Sequence, residues 1–421
     1  MGAKTADTTS GSSLLVVVGG GAAGYFCALS AAESNPNLSI LLLEGGNQVL
    51  RKVRISGGGR CNLTHHCFDP NELSQHYPRG GRQLKGAFYH WQPRDTIEWF
   101  SKRGVSVKTE VDGRVFPVSD RSQSVIDCLE QNTRAAGIEV RKESRVNAII
   151  PAEASSQWIL KLENGKEVRA EKVCLALGSL GNSGLVEIIE GLNHHIVPLV
   201  PSLFAFNLKD HPMKDLSGIS VPAAKVRILP KSPFREGPLL ITHRGLSGPV
   251  ILKLSAWEAR MLHERHHRFS VEVNWLGYEN RDELKNLIHN LRENHATSKI
   301  VNHSFEELPK RLWLRILEVG GIPGDRTWAH LSKKEEENLI GNLFACELKV
   351  DGKTTNKDEF VTCGGVSLKE IDFRTMESKL HPGLHFAGEC LDLDGVTGGF
   401  NFQAAWTTGR IAGCSMANAA R

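Results

Sequence analysis

Little in the composition assigns a partner or a compartment. The 421 residues carry a formal net charge of only +4, from 51 Lys and Arg against 47 Asp and Glu, a balance too even to indicate nucleic-acid binding on charge alone. The nine cysteines are an odd number without a C-x-x-C pair or zinc-type spacing, which favours a reducing compartment and predicts no metal site. We expect a cytoplasmic protein or, alternatively, an organellar protein whose transit peptide has been removed.

The sequence also lacks a convincing targeting signal or membrane span. Residues 1–13 are small and polar and predict a disordered tail. Residues 14–32 contain no charge and approach the length of a transmembrane helix. Their order, however, is five apolar β-formers, a run of glycines and then helix-compatible residues, which predicts a strand, a tight turn and a helix. We therefore expect no membrane association.

The glycines of this turn have the spacing of a dinucleotide-binding motif. Gly19, Gly21 and Gly24 fit G-x-G-x-x-G, in which glycine permits the turn, the approach of a pyrophosphate and close helix–strand packing. A second apolar strand, Ser39–Leu43, ends at Glu44, whose carboxylate can accept hydrogen bonds from both ribose hydroxyls. The pattern predicts a bound ADP moiety, and a glycine-rich turn without a ligand is the less favoured alternative.

The first 45 residues do not distinguish NAD from FAD, but two later glycine-rich stretches favour a flavin. Residues 56–62, SGGGRCN, provide a backbone that can lie against a flat or phosphorylated ligand. Near the C-terminus a strand, Leu384–Ala387, leads into Gly388 and Glu389, and a helix from about Asn401 follows further glycines. Backbone N–H groups there would face a developing flavin anion, so we expect both ends of the chain to hold one ligand.

The sequence resembles the HI0933-like flavoproteins, also known as BaiN-type or aminoacetone-oxidase-type FAD-dependent oxidoreductases. The matching motifs lie at residues 16–24, 51–64, 113–125, 242–252, 361–379 and 383–409 and together cover most of the chain. The resemblance implies that FAD is held by Gly19, Gly21, Ala22, Ala23, Gly24 and Glu44, with Gly57, Gly58, Gly59, Arg60, Cys61 and Asn62 lying toward the flavin. It also implies that Gly388, Glu389, Gly399, Phe400, Asn401 and Gln403 lie near the pyrophosphate, ribityl chain and ring. Val146 is a further predicted cofactor contact.

Two segments depart from the family pattern. The family usually continues its Asn-x-Thr segment with Asn, whereas this chain has His65 and His66. After the predicted strand Val173–Leu177 the family tends to have Ala-Thr-Gly-Gly, whereas residues 176–179 read Ala-Leu-Gly-Ser. We assign no ligand contact to residues 176–184.

The expected fold class is α/β, with a discontinuous Rossmann-type FAD domain and an inserted substrate domain. From about Pro198 the chain changes to short alternating strands separated by prolines and glycines, and then to charged helices with apolar residues at helical spacing. The predicted domains are residues 14–199 with 362–421 for FAD binding and residues 200–361 for the insertion. The insertion is expected to be β-rich in 200–278, as an antiparallel barrel or sandwich, and helical in 279–345. This arrangement would place a substrate cleft where the two domains meet.

Local signals predict further elements of the first domain. The dipeptides Asp112-Gly113 and Asn164-Gly165 are typical of β-hairpins, and the second would join Trp158–Leu162 to Glu167–Ala170. A helix is expected from about Ser122 to Ala136, with an apolar face directed at the core.

Candidate proton donors near the flavin are Cys61, His65 and His243. Cys61 and Cys67 form C-x5-C rather than the C-x4-C of flavin disulfide reductases, so flavin contact or packing is favoured for Cys61 over a redox disulfide. His65 and His66 fit either a general acid or an exposed loop. His243 follows an apolar strand and precedes a glycine turn, which slightly favours a role in the site.

Two polar clusters can also be explained without a ligand or a catalytic role. Residues 263–268, HERHHR, have no matched acidic or cysteine partners and more readily form a solvated face than a metal or nucleic-acid site. Asp392 and Asp394 resemble a paired acid, but turn formation before Gly395 explains them equally well.

The predicted function is an FAD-dependent oxidoreductase that exchanges hydride with an organic substrate. The resemblance implies reduction of a carbon–carbon double bond in an enone or in an RNA uracil. The alternatives are an amine-oxidising flavoenzyme and a non-catalytic FAD-binding or RNA-associated protein. No second G-x-G-x-x-G follows a strand, so NAD(P)H would act as a transient reductant, unless a protein donor or the substrate reduces the flavin. The expected partner is a small molecule or an RNA base, and no oligomeric state is predicted.

Overall fold

The computed structural model describes residues 14–152, 157–181, 184–209, 211–354 and 361–418. The predicted tail at residues 1–13 lies outside these ranges. Two compact units divide the chain. The first unit comprises Met1–Val200 and Val361–Arg421, and the second unit comprises Pro201–Phe360.

The strands of the described residues are β1 (Leu14–Val18), β2 (Ser39–Leu43), β3 (Thr64–His65), β4 (Val107–Thr109), β5 (Arg114–Pro117), β6 (Glu139–Arg141), β7 (Val146–Pro151), β8 (Trp158–Leu162), β9 (Glu167–Ala170), β10 (Lys172–Leu175), β11 (Ile196–Ser202), β12 (Ala205–Leu208), β13 (Ser220–Ile228), β14 (Arg235–Thr242), β15 (Gly245–Ser247), β16 (Arg268–Asn274), β17 (Cys346–Thr354), β18 (Val361–Val366), β19 (Ile371–Asp372), β20 (Glu377–Ser378) and β21 (Leu384–Phe386).

The helices are α1 (Ala22–Ser34), α2 (Arg51–Gly59), α3 (Pro70–Ser74), α4 (Gly81–Phe88), α5 (Pro93–Ser101), α6 (Ser122–Ala135), α7 (Leu185–Gly191), α8 (Pro249–Trp257), α9 (Ala259–Glu264), α10 (Arg281–Asn294), α11 (Lys310–Val319), α12 (Lys333–Phe344) and α13 (Phe400–Asn418). Short 3-10 turns occupy Lys214–Leu216, Ile300–Asn302, Trp328–His330, Leu368–Glu370 and Gly388–Cys390.

A seven-stranded sheet forms the centre of the first unit, in the order β19-β20-β21-β10-β1-β2-β6. The five strands from β21 to β6 are parallel, and β20 and β19 add an antiparallel edge. The inner strands β1, β2 and β10 are almost continuously apolar and buried, as expected for a parallel sheet covered on both faces. The chain passes from β1 to β2 on one side and later adds β10 on the other, which makes the β1–β10 border the switch point where such sheets bind ligands.

Helices α1 and α13 pack closely against each other beside this sheet. A Cβ at Gly409 would lie 2.5 Å from the carbonyl oxygen of Ala23, and one at Gly413 would lie 2.1 Å from that of Cys27. Both positions therefore require glycine because the two backbones are in contact. This helix pair could not be identified from the sequence, since its members lie almost 400 residues apart along the chain.

Two three-stranded sheets flank the parallel sheet within the first unit. Sheet β3-β5-β4 contains the hairpin predicted at Asp112-Gly113, and sheet β7-β8-β9 contains the one predicted at Asn164-Gly165. Strands β8 and β9 have the predicted bounds, and α6 ends one residue before the expected Ala136. Strands β11 and β18 form a further two-stranded sheet.

The second unit is built on a closed barrel of six strands in the order β12-β15-β14-β13-β16-β17. Its interior is filled by apolar residues such as Phe206, Val226, Ile241 and Val273, and the same core continues under α10, α11 and α12. The expected α/β fold, with a Rossmann-type domain, a barrel and a helical region, is confirmed.

The second unit differs from expectation in one stretch. Residues 200–278 were expected to be β-rich, but α8 and α9 lie within them, and the closing strand β17 comes only after the helical region. Helix α8 begins with the residues PVILKL. A short continuous apolar run of this kind does not distinguish a strand from a buried helix by its periodicity.

Candidate functional site

The carboxyl ends of the parallel strands carry the predicted cofactor motifs. The glycine motif follows β1, Glu44 follows β2, residues 176–179 follow β10 and Gly388 follows β21. Because these strands are parallel, their carboxyl ends lie at one edge of the sheet. A hydrogen bond of 2.8 Å from Gly19 N to Leu43 O ties two of these ends together.

The glycines of the N-terminal motif differ in their surroundings. A Cβ at Gly24 would lie 1.9 Å from the carbonyl oxygen of Gly19, and one at Gly19 would lie 2.2 Å from that of Ala176. At Gly21 no described atom lies within 4 Å of the Cβ position. Helix α1 begins just after it, at Ala22, and none of the described side chains caps this N-terminus. Gly21 and the N–H groups of α1 thus form an open cradle suited to a phosphate group.

The Glu44 carboxylate is half-buried and held by the backbone. Oε2 accepts a hydrogen bond from Gly20 N at 2.8 Å, and Oε1 accepts one from Gly46 N at 2.7 Å. Each oxygen retains capacity for another hydrogen bond, so the anchored carboxylate remains able to bind ribose hydroxyls. Val146 is buried at the start of β7, two residues after Ser144, whose N–H donates to Glu44 O at 2.8 Å. Val146 therefore lies close to the Glu44 segment.

The glycine run at residues 57–59 interrupts α2 with left-handed backbone. The φ angles of Gly57, Gly58 and Gly59 are 58°, 69° and 85°. A Cβ at Gly58 or Gly59 would meet no described atom within 4 Å, so one side of this backbone is open. The predicted cofactor residue Arg60 is different, because its guanidinium lies 3.9 Å from the centre of the Phe116 ring and is ion-paired with an acidic side chain. Because this ion pair balances the charge of the guanidinium, Arg60 stabilises the conformation of this segment.

Asn62 joins this segment to the start of α13. In the orientation that satisfies both ends of its amide, the oxygen accepts from Gly399 N at 3.0 Å and the nitrogen donates to Thr64 O at 3.2 Å. A Cβ at Gly399 would lie 2.4 Å from Thr64 O, which explains glycine at this position. The structure thus brings together residues 62 and 399, both of which are predicted to lie near FAD.

Gly388 makes a similar connection to the N-terminal motif. It has a left-handed φ of 77°, and a Cβ there would lie 2.8 Å from the Cβ of Ala23. Its N–H donates to Thr408 Oγ1 at 2.9 Å. The backbone after β21 therefore lies against the first turn of α1, beside the open cradle at Gly21.

Glu389 is bound on both carboxylate oxygens. Oε2 forms an ion pair with Lys52 of α2, and Oε1 accepts from Thr362 N at 3.2 Å. The Thr362 hydroxyl in turn is hydrogen-bonded to Ser179, which lies in the segment that departs from the family pattern. Lys52 was not identified from the sequence, since its position outside the glycine run gave no signal.

The side chains of Asn401 and Gln403 are engaged within the protein, so their predicted contacts with the cofactor would be made by the backbone. The Asn401 amide accepts from Gly395 N at 2.8 Å and donates to Gly395 O at 2.9 Å. Gln403 is fully buried, accepts from Thr64 Oγ1 at 2.6 Å and donates to Thr407 Oγ1 at 3.0 Å. The Asn401 side chain therefore holds the turn that carries Gly398 and Gly399, and the Gln403 side chain joins α13 to Thr64 of β3.

The same turn is fixed by an ion pair that the sequence did not reveal. Asp394 is fully buried, and both its oxygens are bound by the guanidinium of Arg79. The hydroxyl of Tyr77 donates to Phe400 O at 2.7 Å. Asp394 therefore stabilises structure and does not form a paired acid with Asp392. No local signal pairs Arg79 with a residue 315 positions away.

Cys61 is poorly placed for chemistry. Its side chain is fully buried, and burial raises the pKa of its thiol to about 12, so the reactive thiolate is strongly disfavoured. Cys61 and Cys67 are both free thiols. A contact between the Cys61 side chain and the flavin, or proton donation by its thiol, would require a rearrangement of this segment, whereas the Cys61 backbone remains a predicted flavin contact.

His65 lies against the N-terminus of α13. Its ring stacks on Phe400 with 4.6 Å between centroids, and its Nε2 lies 3.1 Å from Asp112 O. Since a carbonyl only accepts, Nε2 carries the proton and Nδ1 does not. Nδ1 is buried without a partner among the described residues. Burial lowers the pKa of His65, which favours this neutral form at neutral pH.

The remaining histidine candidates are exposed. His66 projects from the loop after β3 and packs against Phe68, with 4.3 Å between ring centroids. His243 is exposed in the turn between β14 and β15 of the second unit. Its side chain is accessible, whereas that of Cys61 is not.

A Ser–His–Glu series of hydrogen bonds lies elsewhere in the first unit. His194 bonds Glu370 at 2.7 Å through Nδ1 and Ser378 at 2.9 Å through Nε2. Ser378 lies in β20, Glu370 directly precedes β19, and His194 follows α7. The Ser378 hydroxyl oxygen also accepts from Leu380 N and His381 N, and Ser378 and His194 are buried. The Ser378 hydroxyl is therefore occupied, and the series ties the segment after α7 to the antiparallel edge of the main sheet.

Within the described ranges, no group of three or more His, Cys, Asp or Glu side chains is arranged to hold a metal ion. The stretch at residues 263–268 is largely exposed, and Arg268 pairs with Asp351 at 2.9 Å. Over the same ranges no helix has both the length and the apolar character needed to cross a bilayer.

The chain has clear relatives. The family described as "HI0933-like protein Rossmann domain" matches residues 13–415. A ribosomal RNA dihydrouridine synthase of Escherichia coli is 31% identical over 395 residues, covering 91% of this chain and 93% of that protein. A 3-dehydro-bile acid delta(4,6)-reductase of Clostridium scindens is 28% identical over 402 residues, covering 94% and 96%.

Among solved structures, 3-ketosteroid-delta4-(5alpha)-dehydrogenase from Rhodococcus jostii, in complex with 4-androstene-3,17-dione, has a similar fold. It superposes with a TM-score of 0.52 at 14% identity, covering 98% of this chain and 99% of that chain. At this identity the likeness is evidence of the shared fold.

Proposed function

The chain belongs to the HI0933-like family of FAD-dependent oxidoreductases, and we propose that it reduces a carbon–carbon double bond conjugated to a carbonyl, in an enone or in the uracil ring of RNA. The observation that carries this proposal is the match, over nine-tenths of the chain, to two relatives. One is named a delta(4,6)-reductase. The other is named for the synthesis of dihydrouridine, which is uridine with its ring double bond saturated.

The residues at the carboxyl edge of the sheet fit an FAD molecule. Gly21 leaves open space at the N-terminus of α1, and Gly58 and Gly59 leave open space along the interrupted helix. Glu44 is anchored and keeps acceptor capacity for a ribose. We propose that these residues hold the pyrophosphate, the flavin side and the ribose respectively. When bound there, FAD would supply hydride chemistry that no side chain provides.

Reduction of a conjugated double bond also requires a proton at the carbon next to the carbonyl. Cys61 is fully buried with a raised pKa, and the Nε2 proton of His65 is already donated to Asp112 O. We propose His243 as the proton donor because its side chain is exposed, and general acids must reach the atom they protonate. His65 then acts as a positioning residue that supports Phe400 at the start of α13.

The electron donor is proposed to be NAD(P)H, acting as a transient reductant. The described residues contain one parallel sheet with a dinucleotide motif, which the FAD proposal occupies. Anaerobic mixing with NADH or NADPH should therefore bleach the visible flavin absorbance without a stable complex. Bleaching by neither would leave a protein donor or the substrate as the source of electrons.

The decisive experiment is anaerobic reoxidation of the reduced holoenzyme. The flavin is photoreduced with EDTA as the sacrificial electron donor, and either a 3-ketosteroid enone or an unmodified ribosomal RNA transcript is added in the dark. Recovery of the flavin absorbance, with a mass gain of two hydrogens in the acceptor, is expected for at least one of them. Purified protein without flavin would contradict the proposal. Flavin that is reduced only by amines, with oxygen consumption, would indicate the amine-oxidising alternative.

A further inference from the structure

An ion pair between Lys52 and Glu389 lies beside the proposed pyrophosphate site. Lys52 belongs to the first turn of α2, and Glu389 follows β21. Glu389 is a predicted cofactor contact, yet its carboxylate and the pyrophosphate of FAD are both negatively charged. Like charges placed close together oppose binding. Some other group must therefore offset the charge of Glu389 if FAD binds at the cradle.

Backbone contacts place the start of α2 against the glycine motif. The N–H of Leu50, which directly precedes α2, donates to Gly20 O at 2.8 Å. A Cβ at Gly20 would lie 2.9 Å from Cγ1 of Val49, so the chain that enters α2 also packs against the motif. Lys52 is only two residues beyond the hydrogen bond to Gly20. The position of Lys52 close to the cradle is therefore fixed by the main chain.

Glu389 is held close to the cradle by the residue before it. A Cβ at Gly388 would lie 2.8 Å from the Cβ of Ala23, in the first turn of α1. The Glu389 carboxylate accepts from Thr362 N at 3.2 Å through Oε1 and binds the Lys52 ammonium group through Oε2. Its side chain is 19% exposed, so solvent and salt screen its charge only in part.

The carboxylates around the cradle would repel an anion if they were not compensated. Glu44 supplies a second carboxylate, which accepts from Gly20 N at 2.8 Å. Arg51 adds an exposed cation at the start of α2, and Lys52 is bound directly to the Glu389 carboxylate. The ion pair thus cancels one of two negative charges next to the position proposed for the pyrophosphate.

We propose that Lys52 neutralises Glu389 and thereby allows the pyrophosphate of FAD to bind at the cradle, without touching the cofactor itself. The inference rests on the proposed function, because it assumes that FAD binds at this edge of the sheet. Lys52 is then a positioning residue that acts through Glu389. Exposed ion pairs contribute little to folding, and the Lys52 side chain is 47% exposed. Its loss should therefore affect the cofactor more than the fold.

The affinity for FAD, measured in a double-mutant cycle, tests this proposal. The dissociation constant is obtained by equilibrium dilution of each holoenzyme at low salt, with free flavin separated by ultrafiltration. Lys52→Met keeps the length of the side chain without its charge and should weaken FAD binding about tenfold, because Glu389 is then uncompensated. Glu389→Gln keeps an acceptor for Thr362 N and should bind FAD at least as tightly as the wild type. The variant with both substitutions should return to within about threefold of the wild type.

The salt dependence distinguishes charge compensation from a lost contact. Raising the ionic strength from about 0.01 M to about 1 M shortens the Debye length from about 30 Å to about 3 Å. The deficit of Lys52→Met relative to the wild type should therefore fall from about tenfold to about threefold. A deficit that does not change with salt would contradict electrostatic repulsion as its cause.

Another lysine–glutamate pair of the first unit provides matched controls. Lys102 and Glu98 of α5 form an exposed pair four residues apart, outside the segments that carry the cofactor motifs. Lys102→Met and Glu98→Gln should each change the affinity for FAD less than about twofold. The melting temperature of every variant at saturating FAD should match that of the wild type, so that weaker binding is not a loss of folding.

The outcomes separate this inference from the proposed function. Wild-type protein that binds no FAD would refute both. Equal losses in Lys52→Met and Glu389→Gln, without recovery in the variant with both substitutions, would mean that the ion pair is a structural clamp and would overturn the inference. A loss in Lys52→Met that persists beside Glu389→Gln would indicate direct contact between Lys52 and FAD and would also overturn it. In these last two cases reduction of an enone or of RNA by the wild type would be unaffected, and the proposed function would stand.

Discussion

The two glycine-rich ends of the first unit meet at one edge of the sheet, yet they use their residues differently. In the N-terminal motif the backbone forms the cradle, and Gly21 faces open space. In the C-terminal motif the side chains of Asn401 and Gln403 are engaged in internal hydrogen bonds, and Asp394 is buried in an ion pair. At the first end, backbone contacts require glycine and leave an open cradle. At the second end, side-chain bonds hold the turn, and one of them joins Asp394 to Arg79, 315 positions away.

The largest effect is expected at Gly24. A Cβ there would lie 1.9 Å from the carbonyl oxygen of Gly19, and the contact is with backbone that cannot move aside cheaply. Gly24→Ala should therefore unfold the protein or cost more than about 3 kcal/mol of stability, the upper range for overpacking. Thermal denaturation and soluble yield measure this.

Gly21→Ala is the matched variant three residues away. Its Cβ would meet no described atom within 4 Å, and its φ of −90° suits alanine. It should fold with a wild-type melting temperature but bind FAD at least about tenfold more weakly, if the methyl group enters the space of the pyrophosphate. Normal FAD affinity in this variant would mean that the cradle is not the cofactor site.

These glycines show what could be predicted from the sequence. Strands β1, β2, β8 and β9 have the predicted bounds, because strand and turn signals are local. The cradle residues were found because a steric requirement specifies glycine at fixed spacing. The ion pair of Arg79 with Asp394 could not be found, since a single sequence carries no sign of which distant charges meet. Helix α8 was missed because its apolar run is compatible with either secondary structure.

Breaking that ion pair should have the next largest effect. Asp394→Asn keeps the shape of the side chain but leaves the guanidinium of Arg79, which is 13% exposed, without its carboxylate. Removing one partner of a buried pair costs about 3–5 kcal/mol, and the melting temperature should fall accordingly. In a double-mutant cycle, Arg79→Met should recover part of the loss. Additive effects of the two substitutions would show that the pair does not couple.

The stability of the protein should decrease at acid pH because of His385, which lies in β21, the strand that leads into Gly388. Burial lowers the pKa of His385 to about 3, with the charge of Lys172 as a further cause. In the unfolded state a histidine has a pKa near 6.5. The contribution of His385 to the free energy of unfolding is therefore complete above pH 6.5 and is lost as the pH falls toward 3.

A His385→Gln variant tests this titration. Between pH 6.5 and pH 5 the wild type should lose about 2 kcal/mol of stability from this residue, at about 1.4 kcal/mol per pH unit. The variant should lose that much less over the same range in urea unfolding. Parallel pH profiles for both proteins would contradict the assignment of the acid sensitivity to His385.

The smallest effect is expected at His65, where the two ends touch. Its ring stacks on Phe400, and its Nε2 proton is donated to Asp112 O, so it supports the turn and does not deliver a proton. The resemblance to the family implies Asn at this position, and an amide cannot serve as a general acid near neutral pH. His65→Asn should therefore change the rate of flavin reoxidation less than about threefold, because it keeps a donor for the Asp112 carbonyl. His65→Ala, which loses both the donor and the ring, should weaken FAD retention without changing the pH dependence of reoxidation. A large rate loss in His65→Asn with a shifted pH profile would make His65 the proton donor and would remove that role from His243.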